Sequence, residues 1–262
     1  MRFDTHTHTN MSTDGRMTAE EAIKTAQENG LGIIFTEHYD ADSPDNDYDF
    51  RVDVGKYMAE YERYRSDDVL MGIEVGLTHL CAEKNAAIIK KGTFDFVLGS
   101  VHMIGDVDIY IDLMVAKRPT ITKKTYLDYV LRMVTECGYY DALGHIDYPS
   151  RYFSGGNGYA DDYGVEIDYD EYKKIYDEIF DVLSKKEKPL EINTRRLNKK
   201  SAHKCAFGVL RGYRERGGLY VTIGSDAHNT GSIGVNFNTA EAMVRELSLV
   251  PVYFKNRAMV VL

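Results

Sequence analysis

The sequence predicts an α/β fold in which helices cover a parallel sheet, and three observations support this class. Short apolar runs alternate with longer stretches of helical period along the whole chain. The 262 residues suit a single α/β barrel in length. Hydrophobic residues make up 44% of the composition, which is enough to form a core between the layers. We therefore expect residues 1–262 to form one domain.

The strand candidates are short runs of apolar, β-branched or aromatic residues. They lie at 2–6, 31–35, 69–76, 94–101, 140–146, 189–193 and 219–224. Helix candidates lie at about 18–29, 53–66, 81–91, 122–137, 168–187, 201–216 and 239–247. A strand followed by a helix, repeated in this way, is typical of a parallel sheet with crossover helices.

Local signals support these boundaries. Thr18 followed by Glu21 predicts a capping box, and Gly30 predicts the end of the first helix. Asp168 is predicted to cap the helix that follows it. Two loops, 39–51 and 150–164, are rich in Gly, Asp, Asn and Tyr, and loops of this length are often functional. The segment 251–262 carries no recognisable motif.

The composition limits which kinds of molecule the protein is expected to bind. A formal net charge of -9 argues against non-specific binding to nucleic acid or to an anionic membrane, because both require a basic surface. The three cysteines form no CxxC pair, and no apolar run approaches the roughly 18 residues of a membrane span. The N-terminus lacks the pattern of a signal peptide. We expect a cytoplasmic protein that acts on a small molecule, and we leave a homo-oligomer open.

Most histidines lie at or just after the ends of predicted strands. In a parallel α/β barrel the carboxyl ends of the strands converge on one face, so residues distant in sequence become neighbours there. The histidines at strand ends are His6, His8, His38, His102, His145 and His228, whereas His79 and His203 lie elsewhere. Three carboxylates, Asp14, Glu74 and Asp226, belong to the same face.

The spacing of these residues indicates metal binding. His6 and His8 can present two imidazoles to one ion, since side chains at i and i+2 of a strand point to the same side. Glu74 lies inside an apolar run, where a carboxylate is costly to bury unless a cation meets it. Taken alone, each residue has a simpler explanation, such as a surface pair, a hydrogen-bonded histidine or a turn. Together they predict a multinuclear site suited to Zn, Mn or Fe.

The motifs around these residues resemble those of the PHP superfamily, named for its polymerase and histidinol-phosphatase members. In order, they are HTHT (6–9), TEH (36–38), GIEVG (72–76), SVH (100–102), GHIDY (144–148), LEINTR (190–195) and GSDAH (224–228). The sequences IGD, GHIDYPSRY and EINTR are most similar to the monofunctional histidinol-phosphate phosphatases of this superfamily. The resemblance implies a distorted (β/α)7 TIM-like barrel, with residues 1–262 forming one PHP-type metal-dependent phosphoesterase domain.

The resemblance also implies three divalent metal ions (Zn, Fe or Mn) and assigns ligands to each. One ion would be surrounded by His6, His8, Glu74 and Asp226. Glu74 would bridge to a second ion held by His102 and His145. The third ion would be held by Asp14, His38 and His228. Such ions would bind phosphate oxygens and activate a water as hydroxide for in-line attack on phosphorus, with catalytic roles for Glu74, Asp226 and Arg195.

Binding of a phosphate monoester also requires a hydrogen-bond donor that can contact two phosphate oxygens at once. Arg195 follows a predicted strand and can enter the same face, where its guanidinium matches two phosphate oxygens. Arg151 is a second substrate-binding candidate, although a surface ion pair is the simpler explanation for it alone. Arg196 is expected to point elsewhere. Asp40, Asp42 and Asp45 could meet a substrate ammonium, although a solvated acidic loop is the simpler description.

Three functions are compatible with this resemblance. The first is hydrolysis of L-histidinol phosphate to L-histidinol and phosphate in histidine biosynthesis. The second is hydrolysis of another phosphate ester, such as a nucleotide, phosphotyrosine or a DNA end, and the third is a non-catalytic metal-bound domain that stabilises a partner. The complete set of ligands favours an enzyme, and the acidic composition argues against DNA ends.

Overall fold

A computed structural model describes residues 2–42, 49–153 and 165–262, and strands alternate with helices through most of them. The strands are β1 (Arg2–Thr7), β2 (Leu31–Tyr39), β3 (Val69–Gly76), β4 (Phe96–Ser100), β5 (Met103–Ile104), β6 (Val107–Asp108), β7 (Ala142–Leu143), β8 (Leu190–Asn193), β9 (Tyr220–Gly224), β10 (Val250–Lys255) and β11 (Ala258–Val261). The α-helices are α1 (Ala19–Glu28), α2 (Val54–Tyr61), α3 (Ala82–Ile89), α4 (Ile109–Met114), α5 (Lys123–Glu136), α6 (Lys173–Lys185), α7 (Lys200–Glu215) and α8 (Phe237–Glu246). Asp45 lies outside the described residues.

The seven predicted strands form one parallel sheet in chain order, β1-β2-β3-β4-β7-β8-β9, and β10 and β11 extend it beyond β9. The sheet curls until the end of β1 meets the segment after β9. There the backbone N–H of Asp226 donates to the His6 carbonyl at 2.8 Å, and that of His8 donates to the Ala227 carbonyl at 2.8 Å. Among the described residues this contact is a single bridge, Thr7 to Ala227, and no continuous ladder closes the ring. The sheet is therefore an incompletely closed, TIM-like barrel.

The two faces of the sheet carry different residues. Outward side chains such as Ile33 and Ile73 pack with helix residues in the main core. Inward side chains form a second, smaller apolar layer: Phe3, Ile34, Leu70, Phe96, Leu98 and Ala142, joined by Val252 and Phe254. Because side chains alternate along a strand, His38 and Glu74 lie on the same face as Ile34 and Leu70, four residues further on. The polar inner residues therefore lie at the carboxyl ends of the strands, above this second apolar layer, which we call the apolar floor.

The C-terminal segment, for which the sequence predicted no element, forms the hairpin β10–β11. Phe254 stacks on Phe96 of the inner layer, with ring centroids 5.2 Å apart. The turn residues Asn256 and Arg257 have φ of 51° and 62°. The Arg257 guanidinium donates to the carboxylate of Asp141 and to the Tyr139 carbonyl. The hairpin thus covers the apolar floor from the end of the barrel opposite the polar residues.

Helix boundaries follow the sequence signals, with one correction. Thr18 and Glu21 form the predicted capping box of α1, and Gly30 follows its end with φ of 66°. The prediction that Asp168 caps a helix is wrong, because α6 begins at Lys173. The Asp168 carboxylate instead accepts from the N–H groups of Asp170 and Glu171, a local turn that competes with helix formation. No helix among the described residues is both long enough and apolar enough to cross a membrane.

Candidate metal centre

Nine side chains converge where the parallel strands end. They are the residues that the sequence grouped: His6, His8, Asp14, His38, Glu74, His102, His145, Asp226 and His228. His6, His8, Glu74, His145 and Asp226 are almost completely buried, and His38 and His102 are each 8% exposed. Asp14 and His228 lie at the rim, with 40% and 15% of their side chains exposed.

Glu74 lies at the middle of this cluster, and its two oxygens face different histidines. Oε1 lies 2.9 Å from His145 Nε2 and 3.3 Å from His102 Nε2. Oε2 faces three others: His6 Nε2 at 3.2 Å, His8 Nε2 at 3.4 Å and His38 Nδ1 at 3.0 Å. A carboxylate placed in this way can serve two ions, one on each oxygen.

Ligand atoms in the cluster form four overlapping groups, each with its atoms within 4.8 Å of one another, that could hold an ion. The groups are His6–His8–Asp226, His6–Glu74–His145, His38–Glu74–His102 and His8–His38–His228. Asp14 adjoins the last group, with Oδ2 2.8 Å from His228 Nε2 and Oδ1 3.7 Å from His38 Nε2. The geometry thus brings together every residue of the expected ligand set.

The donor atoms fit divalent cations. The Nε2 atoms of His6 and His8 are 3.0 Å apart, and those of His102 and His145 are 3.4 Å apart, all in the buried part of the cluster. Glu74 Oε2 is buried without a hydrogen-bond donor among the described residues, although buried polar atoms are normally paired. Imidazole nitrogens and carboxylate oxygens are ligands that zinc, iron and manganese accept. A cation between these atoms would satisfy them together.

The electrostatics of the cluster also favour cations. Burial lowers the pKa of His8 well below its usual value, and the neighbouring His38 and His228 lower it further. Burial would do the same to His6, but Glu74 and Glu191 raise its pKa well above the ordinary range. The carboxylates therefore favour a proton, or another positive charge, at buried His6. A metal ion would compete with such protons, and its binding would release them.

Asp226 is held by an unusual backbone turn. Its φ of 55° places it in the left-handed region, which aspartate tolerates better than most residues. Burial would raise the pKa of its carboxyl group, but Arg151 and His6 lower that pKa well below the usual range. Asp226 is thus a carboxylate that faces both the histidines and the arginine.

The arginines divide into two kinds. Arg151 is not on the surface: its side chain is 10% exposed, and one of its terminal nitrogens lies 2.5 Å from Asp226 Oδ2. Arg195 is 48% exposed, and its nearest nitrogen lies 3.8 Å from Asp226 Oδ1, at the mouth of the cluster. Arg196 points elsewhere, as expected, and pairs through two nitrogens with buried Glu166 at 2.9 and 2.6 Å.

Two further carboxylates touch the cluster, and the sequence analysis predicted a structural role for neither. Glu191 accepts from His6, and Asp40 accepts from His102 instead of lying in a solvated loop. A signal for each existed. Glu191 stands two residues before Asn193 in β8, whose side-chain amide donates to Asp226, and Asp40 stands two residues after His38. Alternation along an extended chain gives such pairs one face. Asp42 is partly buried nearby.

Comparison with known proteins identifies the class. Residues 4–195 match the family model of the PHP domain, and the chain belongs to the PHP family. This confirms the resemblance found in the sequence motifs.

Individual relatives are more specific. The chain is 41% identical to a probable histidinol-phosphatase of Clostridium acetobutylicum over 99% of both sequences. It is 28% identical to the histidinol-phosphatase of Lactococcus lactis, over 94% of this chain and 91% of that one. The crystal structure of the Lactococcus lactis histidinol phosphate phosphatase, complexed with Zn, L-histidinol and phosphate, superimposes with a TM-score of 0.87 at 27% identity, covering 99% and 98% of the two chains.

Proposed function

We propose that this protein is a metal-dependent phosphomonoesterase that hydrolyses L-histidinol phosphate to L-histidinol and phosphate, a step of histidine biosynthesis. The observation that carries the proposal is the similarity, over almost the whole chain, to proteins named histidinol-phosphatase. The buried cluster of histidines and carboxylates supports it independently, because it offers ligands for the metal ions that such chemistry uses. Residues 1–262 would act as one phosphoesterase domain.

The proposed centre has three divalent ions, and zinc, iron and manganese suit its ligands. The zinc in the Lactococcus lactis complex supports this choice. The ligand sets are His6, His8, Glu74 and Asp226 for one ion, Glu74, His102 and His145 for the second, and Asp14, His38 and His228 for the third. When bound, clustered divalent ions polarise phosphate oxygens and lower the pKa of a coordinated water toward about 7, so that it can attack phosphorus.

The protein's own residues bind and orient the ester. Arg195 is half-exposed at the mouth and its ion pair with Asp226 is long, 3.8 Å, so its guanidinium can also contact phosphate oxygens there. Arg151 is buried beside Asp226 and keeps that carboxylate charged. A charged Asp226 can accept a hydrogen bond from the attacking water at Oδ1 and so orient it, while Oδ2 faces Arg151. No serine or cysteine nucleophile is required by this arrangement.

An assay of the purified protein against a panel of phosphate monoesters tests the proposal. The panel contains L-histidinol phosphate, a nucleoside monophosphate, phosphotyrosine and a 5′-phosphorylated oligonucleotide. We expect the highest kcat/KM on L-histidinol phosphate, and loss of turnover after treatment with a chelator. Faster hydrolysis of another ester would transfer the proposal to that substrate class, and turnover that survives complete metal removal would overturn the mechanism.

A further inference from the structure

Two buried carboxylates outside the proposed ligand set each contact the Nδ1 atom of one cluster histidine. Glu191 Oε1 lies 2.6 Å from His6 Nδ1. Both oxygens of Asp40 lie near His102 Nδ1, at 3.2 and 3.0 Å. Glu191 and Asp40 are 4% and 5% exposed. In both histidines the other ring nitrogen, Nε2, faces Glu74.

We infer that Glu191 and Asp40 are positioning residues of the metal centre, an inference that rests on the proposed metal-dependent function. A carboxylate accepts a hydrogen bond only from a protonated nitrogen, so each of them favours the tautomer with hydrogen on Nδ1. That tautomer leaves the Nε2 lone pair free and directs it toward the centre of the cluster. Carboxylates bonded to the outer nitrogen of a histidine ligand orient the ring and raise its basicity.

Glu191 connects two histidines from different strands. Its second oxygen, Oε2, accepts from the backbone N–H of His145 at 2.7 Å. His6 is the penultimate residue of β1, His145 follows β7, and Glu191 lies on β8, which neighbours β7 in the sheet. One carboxylate therefore sets the spacing of His6 and His145, which with Glu74 form one of the groups that could hold an ion.

Two glycines leave space for these carboxylates. A Cβ atom at Gly224 would overlap His6 Cβ and Glu191 Oε1, and a Cβ atom at Gly76 would overlap Asp40 Oδ1. Neither glycine has a positive φ, so glycine is required at these positions because a side chain would not fit, and not because of the backbone conformation. Gly224 begins GSDAH and Gly76 ends GIEVG, two of the motifs that identified the family. The motif glycines thus make room for the two carboxylate–histidine contacts.

Glutamine at position 191 is an informative change because the partners of Glu191, which are His6, the His145 N–H and the Asn193 amide, are all donors. An amide offers one acceptor oxygen and one NH2 donor, so Glu191→Gln can satisfy only one of the His6 and His145 contacts. Asp40→Asn keeps one acceptor oxygen for His102 Nδ1 but removes the negative charge that raises the basicity of the ring, and so tests that part of the inference. Glu166→Gln is the matched control, since Glu166 is also buried and accepts from an arginine, but lies outside the cluster.

The experiment measures zinc affinity of the full-length chelator-treated variants by competition with a chromogenic chelator, and records the visible spectrum after loading with Co²⁺. Glu191→Gln and Asp40→Asn should each bind zinc roughly 10–100-fold more weakly than wild type, with a changed Co²⁺ spectrum. Glu166→Gln should match wild type in both. The metal-free variants should melt no lower than metal-free Glu166→Gln.

The outcomes separate this inference from the proposed function. If the wild type itself fails to bind zinc and cobalt, the metal-dependent function fails. If the wild type binds them and both cluster variants keep its affinity and spectrum, the positioning role is overturned while the metal centre stands. If Glu191→Gln fails to fold although Glu166→Gln folds, Glu191 supports the fold and not the ligand geometry, which also overturns the inference.

Discussion

Replacing Glu74 by glutamine should remove metal from two sites with one substitution. The two oxygens of Glu74 face opposite halves of the cluster, His102 and His145 on one side and His6, His8 and His38 on the other. Glutamine keeps the shape but supplies only one acceptor oxygen and no charge. Whichever way the amide turns, one half of the cluster faces an NH2 group.

The size of the effect follows from the double contact. Loss of a partner that only orients a ligand already lowers metal affinity about 10–100-fold. Glu74 is itself a proposed ligand of two ions, so at least this factor applies to each. The product of the two binding constants should therefore fall by about 10²–10⁴, or about 2.8–5.6 kcal/mol at 1.4 kcal/mol per tenfold.

Metal analysis of protein purified without a chelator checks this prediction. Wild type should contain two to three divalent ions per chain and Glu74→Gln one or fewer, with far-UV circular dichroism unchanged. His79→Gln is the control, because His79 bonds the Tyr129 hydroxyl at 3.0 Å outside the cluster and its loss should not alter metal content. A Glu74→Gln protein with the wild-type metal content would refute the bridging role.

Three further results are expected. A chelator should lower the melting temperature by about 5–11 °C. One ion at 100 times its Kd stabilises the folded state by about 2.7 kcal/mol, which corresponds to this shift for a chain of this size. An unchanged melting curve would contradict this. Arg195→Ala should lower kcat/KM by about 10²–10³ with metal and fold retained. Arg151→Ala should also lower the free energy of unfolding, because buried Asp226 loses its buried cationic partner. Equal stability of the two variants would contradict a structural role for Arg151. Arg257→Ala should lower the free energy of unfolding in urea by about 1–3 kcal/mol without changing metal content, because buried Asp141 loses its guanidinium partner and keeps the Val97 N–H.

The barrel and the position of the cluster could be predicted from sequence because both depend on local rules. Seven apolar runs separated by helical stretches specify parallel strands, and parallel strands bring their carboxyl ends together. Alternation along β2 and β3 then places His38 and Glu74 on the inner face. No contact between distant residues had to be guessed for this step.

The C-terminal hairpin could not be predicted, because its partners are distant in sequence. Val252 and Phe254 are buried only through packing inside the barrel. Its turn, Asn256–Arg257, uses left-handed backbone without the glycine that usually marks such a turn. Strands β5 and β6 could not be predicted either, because each is only two residues long and too short for a periodic pattern.

The sequence likewise does not distinguish a metal ligand from a positioning residue. Glu74 and Glu191 are both glutamates inside apolar strands. What separates them is which histidine nitrogen each one meets, Nε2 for Glu74 and Nδ1 for Glu191. That depends on ring orientation, which only the packed structure specifies. Arg151 illustrates the same limit, because its burial beside Asp226 follows from the path of the chain after β7.

The apolar floor explains why metal binding and fold stability should be coupled in this protein. The floor and the hairpin exclude water from below, so charges in the cluster interact in a medium of low dielectric constant. The attraction of Glu74 and Asp226 for cations is strengthened there, and so is the cost of leaving those carboxylates without a cation. Metal removal should therefore weaken the folded state most at the ends of β1, β3 and β9. A change in the hairpin should act at the opposite end and leave the cluster intact. Hydrogen exchange with and without a chelator would resolve the two effects, and equal loss of protection at both ends would contradict this separation.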